Sequence, residues 1–408
     1  MIQERTKRGR KMENIWYQAA LSMQDETVRL YRRLHQIPEV AYQETKTHAF
    51  LRETLDGWGV PYAAPDPHIT VALLRGALPG AVVGIRCDTD ALPVQEETGA
   101  DFASLHPGVM HACGHDAHMA AGLSAVRMLL DRQNALHGLV KVIFQPAEEG
   151  EAGADQVIAT GLTDDVDVFF AIHVWSPYET GTLHIAPVTV SAAVDMFTIT
   201  LSGAGGHGAT PEKCRDAITA GAALVQSLQT VVSRRVSPMQ PAVLTIGSFH
   251  AGAVGNIIAD RAELSGTLRA LDEETRTLIE TETETMMRHV AAAYHCEATF
   301  KNRRIADVVR NDERAADLAR RCALEMAAEK LVQPQQAMMI GDDFANYGRI
   351  APICYAQVGI ADREKGTDYP HHSSRFRVDE DVLPLCAAWM ASFAFRAGRE
   401  WVREERAL

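Results

Sequence analysis

"AVVGIRCDTD", residues Ala81–Asp90, runs apolar for most of its length and then ends in two aspartates. A half-exposed strand would alternate apolar and polar residues, and this stretch hardly does. It reads as a strand buried on both faces, the kind found in a parallel sheet covered by helices. "ITVALLRG" (Ile69–Gly76), "LVKVIFQP" (Leu139–Pro146), "VDVFFAIHVW" (Val166–Trp175) and "ICYAQVGI" (Ile353–Ile360) read the same way. Helical patterns lie between them: Asp25–Gly57 with breaks at Pro38 and Gly57, "AAGLSAVRMLLDRQ" (Ala120–Gln133), "DERAADLARRCALEMAAEK" (Asp312–Lys330) and "DVLPLCAAWMASFAFRAG" (Asp381–Gly398). Strands alternating with helices define an α/β fold with a mostly parallel sheet.

Near Pro187 the period changes. "SAAVDMFTITLSG" alternates like a half-exposed strand, and the elements from Ser191 to Asn302 follow the order β-α-β-β-α-β of a two-layer α+β unit. The expected organisation is a discontinuous α/β domain, residues 1–188 and 303–408, interrupted by an inserted domain over residues 189–302. A chain of 408 residues is also too long for one ordinary core.

The composition is that of a soluble globular protein, 47% hydrophobic and 23% charged. Forty basic residues against 53 acidic ones leave a net charge of −13, which argues against nucleic acid or an anionic membrane as the main partner. Seven scattered cysteines match no disulfide framework, and no apolar run of signal-peptide or membrane-spanning length follows the basic start "MIQERTKRGRKMENIW". A cytoplasmic location is therefore expected.

Chemically capable residues gather where the strands stop. Asp88 and Asp90 end the first strand, Glu148 and Glu149 follow the "LVKVIFQP" strand, and His173 stands at the end of "VDVFFAIHVW". "MHACGHDAHMA" places His111, Cys113, His115, Asp116 and His118 within eight positions before a helix for which Asp116 is the expected N-cap. "YPHHSSRF" adds His371 and His372. Singly, each has an ordinary structural reading as a solvated turn or a hydrogen-bonded edge residue. Their shared position, beyond the carboxyl ends of strands in an α/β sheet, is where sites form. Thiolate from Cys113, imidazole from His115, His173 and His372 and carboxylate from Glu149 suit Zn²⁺ or a similar first-row ion better than Mg²⁺ or Ca²⁺. Five such ligands exceed the needs of one catalytic ion, so two divalent ions sharing a ligand and activating water fit better. Glu148, beside them, is the candidate base.

In their order, "RCDTDALPVQEETG", "MHACGHDAH", "FQPAEEG", "GAGGHGATP", "SGTLRALD" and "HHSSRF" resemble the amidohydrolase branch of the aminoacylase/carboxypeptidase metallopeptidases. That branch includes hippurate hydrolases, N-acyl-amino-acid deacylases and plant auxin-conjugate hydrolases. The resemblance covers nearly the whole chain. It implies a dinuclear centre of Zn²⁺ or Mn²⁺ (Co²⁺ or Ni²⁺ being possible substitutes), held by Cys113, His115, Glu149, His173 and His372 with Cys113 bridging. It also implies Glu148 as general base, Asp90 as the residue orienting the ligands, and hydrolysis of the amide of an N-acyl amino acid. The inserted domain becomes a lid and dimer interface, giving a homodimer or a tetramer. His207 would stabilise the oxyanion from the partner subunit, and Asn256 and Arg269 would grip the substrate carboxylate. Asp88 departs from related peptidases, which carry a histidine ligand at that position. Two other readings stand beside this one: a metallo-dipeptidase or carboxypeptidase of the same superfamily, and a catalytically inactive metal-binding dimer.

Overall fold

The computed structural model describes residues 14–401, so the first 13 residues of the basic start named above lie outside the described residues. In chain order the first part comprises helices α1 (Ile15–Ser22), α2 (Gln24–His35) and α3 (Thr45–Gly57), strands β1 (Tyr62–Ala63), β2 (Thr70–Arg75) and β3 (Leu78–Asp88), helix α4 (His115–Leu130), strand β4 (His137–Gln145), helix α5 (Gly153–Ala159), and strands β5 (Val168–Glu179) and β6 (Leu183–His184). Next come β7 (Ala193–Ser202), β8 (Gly206–His207), α6 (Ala217–Thr230), β9 (Ala242–Ala251), β10 (Ile257–Ile258), β11 (Arg261–Ala270), α7 (Glu273–Ala293) and β12 (Glu297–Ala306). The chain closes with α8 (Glu313–Met326), β13 (Val332–Gln333), β14 (Ile353–Ala361) and α9 (Leu383–Glu400).

It divides into two compact units. One comprises Met1–Val188, Arg310–Gln336 and Asn346–Leu408, the other Thr189–Val309 and Ala337–Ala345. The first carries an eight-stranded sheet in the order β1-β2-β4-β3-β5-β14-β6-β13. Its centre, β4-β3-β5-β14, is parallel, whereas β2 and β6 run antiparallel to their neighbours β4 and β14. The fold is thus α/β with a mostly parallel sheet. Val168–Ser176 of β5 is buried without a break, as the unalternating sequence requires of a sheet covered on both faces. Helices α4 and α9 are themselves apolar nearly all round and pack on one another and on β3. Phe170 of β5 stacks on Phe393 of α9 with ring centroids 4.3 Å apart, and Trp389 turns its indole N–H to the Ala319 carbonyl at 2.9 Å. Each such ring contributes about 1.5–3 kcal/mol by leaving water.

The second unit has a four-stranded antiparallel sheet, β9-β11-β7-β12, carrying α6 and α7. Strand β7 alternates buried and open positions along Ala193–Ser202, because its sheet covers one face only. The unit extends past Asn302 and takes in Ala337–Ala345, a stretch that the sequence reading assigned to the other domain. Backbone bonds hold that stretch: the Met338 amide donates to Val190 and the Ala192 amide to Ile340. No helix among the described residues is long and apolar enough to cross a membrane. All seven cysteines are free.

A candidate metal centre at the carboxyl edge of the sheet

Three loops and one strand of the first unit bring the sequence-nominated residues together. The loop before α4 delivers Cys113 and His115, and Gly114 between them has a φ of 97°. A β-carbon there would lie 2.3 Å from Val174 Cγ2, so the turn demands glycine twice over. Helix α4 starts at His115, earlier than the sequence suggested. Gly114 occupies the N-cap, which corrects the expected capping role of Asp116. Asp116 instead accepts a hydrogen bond from His35 Nδ1 at 2.6 Å, a partner 81 residues away. His173 is not at a strand end either, since β5 continues to Glu179. It sits two residues beyond Ala171, the last residue of β5 to pair with β3 (opposite Arg86).

Among the described residues five groups have ligand atoms within 4.8 Å of one another, and two of them, Cys113–His115–His173 and Cys113–Glu149–His372, share Cys113. Cys113 Sγ is 3.6 Å from His173 Nε2, and His372 Nε2 is 3.1 Å from Glu149 Oε1. The protons can be placed. His115 Nδ1 donates to the Asp90 carbonyl at 2.8 Å and His173 Nδ1 to the Val174 carbonyl at 2.6 Å, so both rings turn Nε2 into the site. His115 Nε2 is buried without a hydrogen-bond partner, with Asp88 Oδ2 at 3.6 Å and Glu148 Oε2 at 3.9 Å. His372 is the exposed member and adopts a left-handed φ of 66°, while its amide bonds the Ala112 carbonyl at 2.8 Å.

The electrostatics ask for a cation. Burial, then the charges of Glu149, Glu148 and Asp88, push the Cys113 thiol well above its ordinary range. Burial opposes charge on His115, yet the charge of Asp88 and the hydrogen bond and charge of Asp90 lift it to about 10. A proton or a metal ion at Nε2 answers the same field, and only the metal lets Cys113 ionise as well. The donor set of sulfur, imidazole and carboxylate fits a borderline divalent ion.

Two residues around the centre have roles that the sequence did not reveal. Asp88, fully buried, is held between Arg86 and His118 Nδ1, the latter at 2.6 Å. Burial would raise its carboxyl, but Arg86 followed by His115 and His118 holds it well below the usual carboxylate range. His118 Nε2 in turn accepts the Val174 amide at 2.9 Å, so the third histidine of "MHACGHDAHMA" secures the strand beside His173. Beneath the loop, His35 also reaches Glu96 Oε1 at 3.3 Å. Burial opposes its charge, but the hydrogen bonds to Asp116 and Glu96 raise it to about 9, while His111, lowered by burial to about 4, stays neutral in that range. A raised cation stabilises fully below its unfolded value of 6.5 and stops doing so as pH rises through 9. Unfolding free energy at fixed metal loading should therefore fall between those pH values more steeply in the wild type than in His35→Gln. Parallel slopes in urea titrations would remove the His35 charge from the stability of the fold.

The remaining nominated residues lie in the second unit. His207 pairs with Ile257 in the β8–β10 ribbon, and its Nδ1 accepts the Ala209 amide at 3.0 Å, which leaves the proton on Nε2. Asn256 accepts the Gly208 amide through its carbonyl at 2.9 Å. Arg269 lies on β11 between Val243 and Val194, half-buried, with one bond from Nη1 to the Met339 carbonyl at 3.1 Å. Among the described residues it has no carboxylate within ion-pair distance, and burial lowers its pKa.

Fold and donor set together describe a metallohydrolase built on an α/β sheet. Residues 84–396 match the model of Peptidase family M20/M25/M40, and the chain belongs to that family. It is 34% identical to thermostable carboxypeptidase 1 of Saccharolobus solfataricus, over 92% of this chain and 96% of that one. It is 40% identical to an N-acyl-L-amino acid amidohydrolase of Geobacillus stearothermophilus, over 66% of this chain and 74% of that one. Among solved structures it resembles the Bacillus subtilis YXEP protein, described as a dinuclear metal binding peptidase of the M20 family, with a TM-score of 0.79 and 29% identity, covering 92% and 99% of the two chains.

Proposed function

We propose that this protein hydrolyses the amide bond of N-acyl amino acids, with Glu148 as general base beside two divalent ions. One observation carries the reading: the Glu148 carboxylate adjoins two ligand groups that share Cys113. Cys113, His115, Glu149, His173 and His372 would hold Zn²⁺ or Mn²⁺, with Co²⁺ or Ni²⁺ as possible replacements. When bound, such a pair supplies Lewis acidity that lowers the pKa of water and polarises a carbonyl. Glu148 takes the water's proton and passes it to the leaving amine. Asp90 holds the machinery in place, because its two oxygens accept the Glu148 and Glu149 amides at 3.1 and 2.9 Å while its carbonyl orients His115.

The choice of an N-acyl amino acid rests on Arg269. A half-buried guanidinium without a carboxylate partner is suited to a substrate carboxylate, and Asn256 would share that grip. His207, with its Nε2 proton, would donate to the oxyanion from the partner subunit of a homodimer formed through the second unit. The name of the Saccharolobus relative favours a second reading, carboxypeptidase action on peptides.

The test loads the protein with Zn²⁺ or Mn²⁺ and offers N-acetyl-, N-benzoyl- and indoleacetyl-amino acids together with dipeptides. Release of amino acid from the acylated substrates, lost on chelation and restored by metal, is the expected result. Cleavage of dipeptides alone would select the peptidase reading, and release from neither would overturn both. Arg269→Ala should raise KM for N-acyl amino acids about 10- to 100-fold, the value of one or two charge-assisted hydrogen bonds, and change little for N-acyl amides lacking the carboxylate. An equal rise for both substrate types would take Arg269 out of carboxylate binding.

A further inference from the structure

Glu44 stands at the N-cap of α3, where a side chain would ordinarily bond the first turn, yet it makes no such capping bond. It is fully buried and reaches away from its helix, so that Oε1 accepts the Ala147 amide at 2.9 Å. The next two amides, of Glu148 and Glu149, go to the two oxygens of Asp90. Three successive N–H groups are thus each taken by a carboxyl oxygen, and the segment they fix carries the candidate base and a candidate ligand. Ala147 has a φ of 55°, a conformation an alanine keeps only when its surroundings impose it.

For stability alone Glu44 is a poor choice. Its Oε2 is buried without a hydrogen-bond partner, and burial followed by the charge of Asp90 pushes its carboxyl up to about 8. A buried carboxyl beside the Asp90 carboxylate weakens the fold unless its bond to the Ala147 amide achieves something else. That bond goes to the residue preceding Glu148.

We propose that Glu44 is a positioning residue of the active site, which with Asp90 locks the Ala147–Glu149 backbone and so aims the Glu148 carboxylate and presents Glu149. The inference rests on the roles given to Glu148 and Glu149 above. Glu44 touches neither the reacting atoms nor a ligand side chain. Its influence travels through the backbone.

The experiment compares full-length wild type, Glu44→Ala and Glu44→Gln in three measurements. These are amide hydrogen exchange in the peptide containing 147–149, Zn²⁺ retained against a competing chelator, and kcat and KM on the preferred N-acyl amino acid. In Glu44→Ala, exchange at 147–149 should rise at least tenfold, Zn²⁺ affinity should fall about 10- to 100-fold, and kcat should drop about tenfold or more with KM little changed. Glu44→Gln, whose amide oxygen can still accept the Ala147 N–H, should recover at least half of the wild-type kcat and most of the exchange protection. Folded Glu44→Ala with wild-type exchange and wild-type Zn²⁺ affinity would overturn the proposal. If Glu44→Ala fails to fold, Glu44→Gln decides: the same recovery supports positioning through the backbone, and a kcat loss despite wild-type protection at 147–149 refutes it. Exchange and Zn²⁺ retention need no substrate, so a chain that hydrolyses nothing would sink the proposed function while those two readouts still judge Glu44.

Discussion

Glu148→Gln should keep its metal content and its melting temperature while losing about 10²–10⁴-fold in kcat, the usual contribution of a positioned general base. Glutamine matches glutamate in volume and keeps the backbone amide that donates to Asp90 Oδ1 at 3.1 Å, so the loop keeps its reason to stay in place. What changes is one atom that can accept a proton. The side chain lies beside His115 without belonging to either of the groups built on Cys113, so the two sets of ligand atoms survive the substitution. KM should move little, because no substrate contact is assigned to Glu148. The measurement pairs steady-state kinetics with elemental analysis of the same preparation. A kcat within a few-fold of wild type at full metal loading would remove Glu148 from proton transfer, and low metal content would recast it as a ligand.

Cys113→Ser should lower metal affinity by more than about 10²-fold, beyond the 10- to 100-fold typical of partners that merely orient ligands. Cys113 is the one residue common to both groups, so its replacement weakens two ligand sets at once. A thiolate supplies full negative charge to a borderline ion, whereas a serine hydroxyl stays neutral at ordinary pH. Activity should disappear at limiting Zn²⁺ or Mn²⁺ and return in part at high metal concentration. Equilibrium competition with a chromophoric chelator reads the affinity, and unfolding curves without metal separate a ligand effect from a folding defect. A Cys113→Ser protein that holds two ions as tightly as wild type would leave Cys113 a structural thiol.

Much of this molecule was legible before any coordinates. Buried parallel strands announce themselves by lacking alternation, as in Val168–Ser176, and a one-faced sheet announces itself by alternating, as in Ala193–Ser202. These are local periods, set by which sides of a segment face water, and they carry the fold class and the order of elements. The grouping of Cys113, His115, Glu148, Glu149, His173 and His372 could be anticipated because parallel strands deliver their following loops to one edge.

The tertiary structure alone decided what each buried charge does. Asp88 ends a strand among the candidate ligands, but Arg86 and His118 engage its carboxylate. Asp116 looked like a helix cap and is instead the partner of His35. Glu44 begins a helix in sequence and in space supports a loop 103 residues away. Ala337–Ala345 shows no period of its own and joins the second unit through backbone bonds. Periodicity records whether a residue is buried. It does not record what neutralises the residue there, because that partner arrives from elsewhere in the chain, and only the folded backbone sets the few tenths of an ångström on which hydrogen bonds and metal ligands depend.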